Sequence, residues 1–142
     1  MFSSFSEEWE TPLLLYQQLD NEFHFTVDVC ATPQNAKAPR FWTKIEDGLA
    51  QSWAGERCFM NPPYGRAIAA WVRKASEAAA GGALVVALLP ARTDTIWWHE
   101  YVRQAEVRFL RGRLRFNSAK TGAPFPSAIV IFRQKDGRGA RD

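Results

Sequence analysis

Only two cysteines, Cys30 and Cys58, occur in 142 residues. They are too few for a disulfide framework and lack metal-ligand spacing, so a reducing cytoplasm is the expected setting. The two histidines, His24 and His99, are equally isolated, and no metal site is expected. No apolar run approaches the ~20 residues that cross a bilayer, so no membrane association is expected. The first ten residues, MFSSFSEEWE, are acidic and lack the basic and apolar blocks of a secretory signal. Internal repeats, low-complexity segments and dividing linkers are absent, as are P-loop, GxSxG, HExxH and GxGxxG strings. What remains is an ordinary globular balance, 46% hydrophobic and 23% charged, which excludes a disordered chain or a coiled coil.

Charge is unevenly spread. Residues 1–71 carry five Lys/Arg and nine Asp/Glu; residues 72–142 carry thirteen and six. A basic second half fits a polyanionic partner or, equally, a solvated basic face. Thr11-Pro12 before Leu13, Leu14, Leu15, Tyr16 and Leu19 predicts a helix start, with Thr11 as cap and Pro12 at the first helical position. Residues 23–29 alternate and predict a strand, residues 31–56 look irregular, and Arg57 to Met60 is a short strand halted by Pro62-Pro63. Ile68, Trp71, Val72, Ala75 and Ala79 recur at helical spacing over residues 67–80, and Gly81-Gly82 ends that helix. The apolar run Ala83 to Leu89 reads as a strand buried on both faces. A helix over 94–103, strands at 107–110 and 128–132, and a frayed tail complete the pattern. The fold class is α/β, with right-handed crossovers and a mostly parallel sheet. Ligands in such sheets bind beyond the carboxyl ends of strands, which selects the residues after Val29 and after Met60.

Asn61-Pro62-Pro63-Tyr64 stands between a strand and a helix. Two prolines fix φ, lack N–H groups and keep the loop stiff with its carbonyls unpaired. The Asn61 side-chain carbonyl beside the Pro62 carbonyl gives two acceptors for one planar NH₂ group, and Tyr64 offers a ring for stacking. Such a pair suits an exocyclic amine whose lone pair is delocalised, because fixed acceptors carry the charge that develops on nitrogen. The plainer alternative is a Pro-Pro turn that merely ends a strand.

This string matches the [DNS]PP[YFW] motif of amino-group methyltransferases that use S-adenosylmethionine. Together with Trp9-Glu10-Thr11-Pro12, the Asp28 to Pro33 run, Asp47-Gly48-Leu49, the Leu89 to Thr95 run, Phe109 to Phe116 and Ala123 to Ser127, the chain resembles the phage-type DNA N6-adenine methyltransferase (Dam) family from about residue 7 to 133. The resemblance implies a single-domain Rossmann-like methyltransferase over residues 1–133 and a flexible basic tail at 134–142. It further implies methylation of adenine N6 in DNA. Asn61, Pro62, Pro63 and Tyr64 would form the catalytic loop. Thr11, Pro12, Asp28, Cys30, Ala31, Asp47, Gly48, Leu49 and Asn61 would hold S-adenosylmethionine. Arg92, Arg111, Arg113 and Arg115 would contact DNA. One departure is that Cys30-Ala31-Thr32-Pro33 replaces a Gly-rich loop and no acidic ribose ligand follows a second strand, which leaves room for a trimmed sheet. Cytosine N4 and a protein glutamine amide are rival acceptors, and a non-catalytic DNA-binding relative is the rival class.

Several residues carry two readings. Asp28 at a strand's end suits the cofactor's ammonium group or a turn cap. Arg111, Arg113 and Arg115 alternate, so on an extended segment they point one way, towards phosphates or simply towards solvent. Phe125, between two prolines, either contacts a flipped base or packs on the core. Of six tryptophans, Trp71 reads as core, while Trp9 and Trp42 lie in loops near the site and either wall the pocket or pack.

Overall fold

The computed structural model describes residues 9–118 and 122–135. Helix α1 (Leu13–Phe23) leads to β1 (Val27–Asp28), β2 (Arg40–Phe41) and a 3₁₀ turn at Gly48–Ala50. Then come β3 (Arg57–Met60), α2 (Ile68–Ala80), β4 (Leu84–Pro90), a π-helical turn at Trp98–Val102, β5 (Glu106–Phe109), a short stretch at Phe116–Ser118 and β6 (Ser127–Phe132). The six strands form one sheet in the order β2-β1-β3-β4-β6-β5. Pairs β1–β2, β1–β3 and β3–β4 are parallel, whereas β6 runs antiparallel to both β4 and β5. The sheet is therefore mixed, not mostly parallel. The reversal comes from β6, which enters between β4 and β5 after a return loop and leaves five strands ending on one edge.

All seven residues of β4 and all six of β6 are buried, as expected for strands covered on both faces. Helix α2 buries Ile68, Trp71, Val72, Ala75 and Ala79, the positions that the spacing picks out. Helix α1 packs through Tyr16, whose ring lies 5.1 Å from Phe59 and 5.6 Å from Phe25. Arg108 on β5 pairs with Glu22 at 2.7 Å and lies over Phe23, pinning the end of α1 to the sheet's far edge.

Several boundaries differ from expectation. Thr11 does not cap α1; Pro12 is the N-cap residue, with no side-chain cap, and the buried Thr11 hydroxyl is used elsewhere. The strand expected over 23–29 shrinks to two paired residues because Phe23 ends α1 and His24 turns at φ 56. Residues 31–56, read as irregular, contain β2, which at two residues, both exposed, is too short to show alternation. In the helix expected over 94–103, the π-helical turn carries an Arg103 N–H to Trp98 carbonyl bond five residues apart. Residues 136–142 of the expected tail lie outside the described residues. Among the described residues no helix is long and apolar enough to cross a membrane, and no three His, Cys, Asp or Glu side chains form a metal-binding group.

Candidate active site

The chain leaves β1 for β2 on one side and then crosses back to β3 on the other. That reversal opens a crevice between β1 and β3 at their carboxyl ends, where ligands bind in open α/β sheets. A cavity of about 660 Å³ lies there. Thr11, Asp28, Cys30, Ala31, Asp47, Gly48, Asn61 and Pro63 all line it, together with Trp9, Trp42 and Trp71. Its size and its aromatic walls with a few polar groups match a small-molecule site. The two strand ends selected from the sequence thus meet in one place.

Asp28 is the buried charge of this cavity, 3% exposed. Its carboxylate accepts from the Cys30 N–H at 3.3 Å and the Lys37 N–H at 3.2 Å, so it shapes the loop between β1 and β2. Burial pushes its carboxyl up to about 6, against the lowering effect of those two donors and the Lys37 charge. The Asp28 and Ala31 strand extension is completed by reciprocal backbone bonds with Trp42 at 2.9 Å each. On the facing side, the Asp47 carboxylate accepts from the Leu49 N–H and turns the chain at φ 59. Gly48 then passes so close to β1 that a Cβ there would sit 2.0 Å from the Val29 carbonyl oxygen. Only glycine permits this approach. Trp53, fully buried, clamps the turn by donating from Nε1 to the Gly48 carbonyl at 2.8 Å.

Asn61 follows β3 directly. Its Nδ2 donates to the Trp9 carbonyl and, at 2.9 Å, to Thr11 Oγ1. Because a carbonyl can only accept, this bond fixes which way the amide faces. The Oδ1 atom is then buried with no hydrogen-bond partner. Orphaned buried acceptors are rare and costly, and this one belongs to a side chain that lines the cavity, so it is an acceptor still to be satisfied. Among the described residues the Pro62 carbonyl also accepts no hydrogen bond.

The rest of the loop departs from the sequence reading. Tyr64 presents no open ring face: it is 3% exposed, enclosed by Phe116 and Phe125 with ring centroids at 6.2 and 5.7 Å. Its hydroxyl donates to the Leu88 carbonyl at 2.9 Å, and burial raises its pKa well above the usual phenol range. Tyr64 anchors the Asn61 to Tyr64 loop to β4 and offers no free face for a base to stack on. Pro62 is buried, Pro12 starts α1 and Leu49 packs on the core, so none of these lines the cavity. Phe125 packs against Trp9 and Tyr64, with Arg92 over its ring at 5.7 Å.

Arg92, Arg111, Arg113 and Arg115 lie outside the cavity and are exposed. Residues 111–115 form no strand, and Gly112 turns at φ 75, so the alternation argument for one shared face does not hold. Backbone bonds place two of them, Arg92 and Arg111, at the sheet's carboxyl edge instead. Ala91 donates to the Pro126 carbonyl and Leu110 to the Ser127 carbonyl, so Arg92 and Arg111 flank the start of β6 from its two sides. Residues that sequence reasoning missed include Lys37, whose backbone holds Asp28, and Thr43 to Ile45 on the cavity rim. No spacing signal marks either, because both lie in the irregular stretch between strands and Lys37 acts through its backbone N–H.

The model of the family DNA N-6-adenine-methyltransferase (Dam) matches residues 2–138. A protein named DNA N-6-adenine-methyltransferase from Haemophilus phage HP1 (strain HP1c1) is 30% identical over 136 residues, covering 89% of this chain and 79% of that protein. One of the same name from Escherichia phage T1 is 28% identical over 133 residues, covering 80% of this chain and 55% of the relative, so this chain spans about half the T1 protein's length. The match runs through every segment that lines the cavity, from Trp9 to Trp71, and through the arginine-bearing edge beyond it. With its whole described structure inside that match, the chain belongs to the DNA N-6-adenine-methyltransferase (Dam) family.

Proposed function

We propose that this protein transfers the methyl group of S-adenosylmethionine to the N6 amino group of adenine in DNA. The observation that carries the reading is Asn61 Oδ1, a buried oxygen without a partner, on a side chain fixed through its other atom. The cavity suits the cofactor: Asp28 offers a buried carboxylate for an ammonium group, and Trp9, Trp42 and Trp71 offer apolar walls. Thr11, Cys30, Ala31, Asp47 and Gly48 supply the remaining surface. When bound, the cofactor supplies an electrophilic methyl group on a positively charged sulfur.

Asn61 Oδ1 accepts one hydrogen of the incoming amine at the cavity wall, and the unpaired Pro62 carbonyl, just outside the cavity, accepts the other. They favour a pyramidal nitrogen whose lone pair is free to attack, and they carry its growing positive charge. No strong base is needed, since the proton released after methylation is acidic and passes to water. Tyr64 keeps this loop seated on β4. The target adenine must leave the duplex stack to reach the cavity, and the exposed arginines hold the backbone while it does.

Purified protein, labelled S-adenosylmethionine and mixed-sequence DNA should yield labelled N6-methyladenine on nucleoside analysis. Label in N4-methylcytosine, or in a glutamine peptide alone, would overturn the choice of acceptor. The arginines are tested separately. Arg111→Ala with Arg113→Ala should lower the slope of log affinity against log salt by roughly 0.9 for each lost phosphate contact. An unchanged slope would return both to the solvated surface.

A further inference from the structure

Residues 9–11 are held from two sides. Inside the cavity, Trp9 and Thr11 both accept from the Asn61 amide. Away from Asn61, Glu10 exchanges two hydrogen bonds with Asn117, which lies outside the cavity: the Glu10 N–H donates to Asn117 Oδ1 at 2.6 Å, and the Asn117 N–H donates to the Glu10 carbonyl at 3.2 Å. Asn117 sits at φ 56, ψ 29, a left-handed conformation that asparagine tolerates better than most residues. The neighbouring Phe116 meets Trp9 edge-on at 5.5 Å.

Asn117 closes the segment that begins where β5 ends and carries Arg111, Arg113 and Arg115. That segment is itself braced: the Ala123 N–H donates to the Leu114 carbonyl at 2.8 Å, and Arg113 donates to the Ala123 carbonyl at 3.3 Å. A continuous set of bonds therefore runs from the arginine segment through Asn117 and Glu10 to Trp9, and from the Trp9 carbonyl to the Asn61 side chain. We infer that Asn117 is a positioning residue: it fixes the 9–11 wall so that the Asn61 amide is held for the amine, and it ties that amide to the segment that grips DNA. This rests on the reading of Asn61 as the amine acceptor.

Three variants separate the parts. Asn117→Gly keeps the left-handed backbone and loses the acceptor. Asn117→Asp keeps both. Asn117→Ala loses both. With Asn117→Gly, the single-turnover rate of methyl transfer to DNA should fall about tenfold or more, as small misplacements of reacting groups do. DNA affinity and Tm should stay near wild type, and Asn117→Asp should recover most of the rate. Equal losses in Gly and Asp, or no loss in Gly, would overturn the inference. An independent readout is the pair of Asn61 side-chain amide NMR signals, assigned by their disappearance in Asn61→Ala. They should move and exchange faster with solvent in Asn117→Gly and return in Asn117→Asp. Unmoved signals would overturn the link whatever the protein methylates. Moved signals in a protein that methylates no adenine would uphold the link and overturn the functional reading.

Discussion

Asn61→Ala should lower kcat by about 10²- to 10³-fold, the usual cost of removing one preorganised partner of a developing charge. Affinity for S-adenosylmethionine should change no more than a few-fold, because Asn61 meets the amine and the wall, while Asp28 faces the ammonium. Asn61→Asp should fare little better. It restores an oxygen but sets a carboxylate against the Trp9 carbonyl, where the native amide donates. Single-turnover rates and calorimetric cofactor titrations read the two effects apart. A near-normal kcat in Asn61→Ala would refute the amine-acceptor role of the loop.

Asp28→Ala should do the reverse. Removing a buried charge from an ammonium partner costs about 2–5 kcal/mol, or roughly 30-fold and upward in cofactor Kd. The same side chain sets a pH dependence. The ionised carboxylate pairs with the ammonium group, and its pKa is raised to about 6, so cofactor affinity should rise between pH 5 and pH 7 and level off above. The stability of the free protein should move the other way. The folded chain keeps a proton that the unfolded chain has already released, so stability falls as pH rises from about 4 to about 6, by about 3 kcal/mol. Asp28→Ala should flatten both profiles. A cofactor affinity independent of pH in the wild type would remove Asp28 from the ammonium site.

Much of this was legible in the chain itself. The helical spacing of Ile68 to Ala79 and the apolar run into Pro90 identify α2 and β4, because each has a single period that burial enforces. Asn61 and Asp28 were legible as strand-end residues, and the crevice rule brings their strands together. The reversal at β6 was not, since an apolar strand buried on both faces reads alike in either direction. Tyr64 was misread because a ring at the end of a Pro-Pro loop beside the cavity looks available until Phe116 and Phe125, more than fifty residues on, close over it. Thr11 looked like a cap for the same reason: its hydroxyl partner, Asn61, is fifty residues away.

The exchange between Glu10 and Asn117 spans 107 positions, and the bond from Asn61 to Trp9 spans 52. Closing loops of that length from an open chain is entropically costly, whereas the β3–β4 and β4–β6 ladders can bring the ends together first. That cost favours forming the sheet before the cavity wall. During synthesis residues 9–11 wait for a partner made some hundred residues later. A nascent chain that has already paired β1, β3 and β4 still lacks this latch until Asn117 has been made.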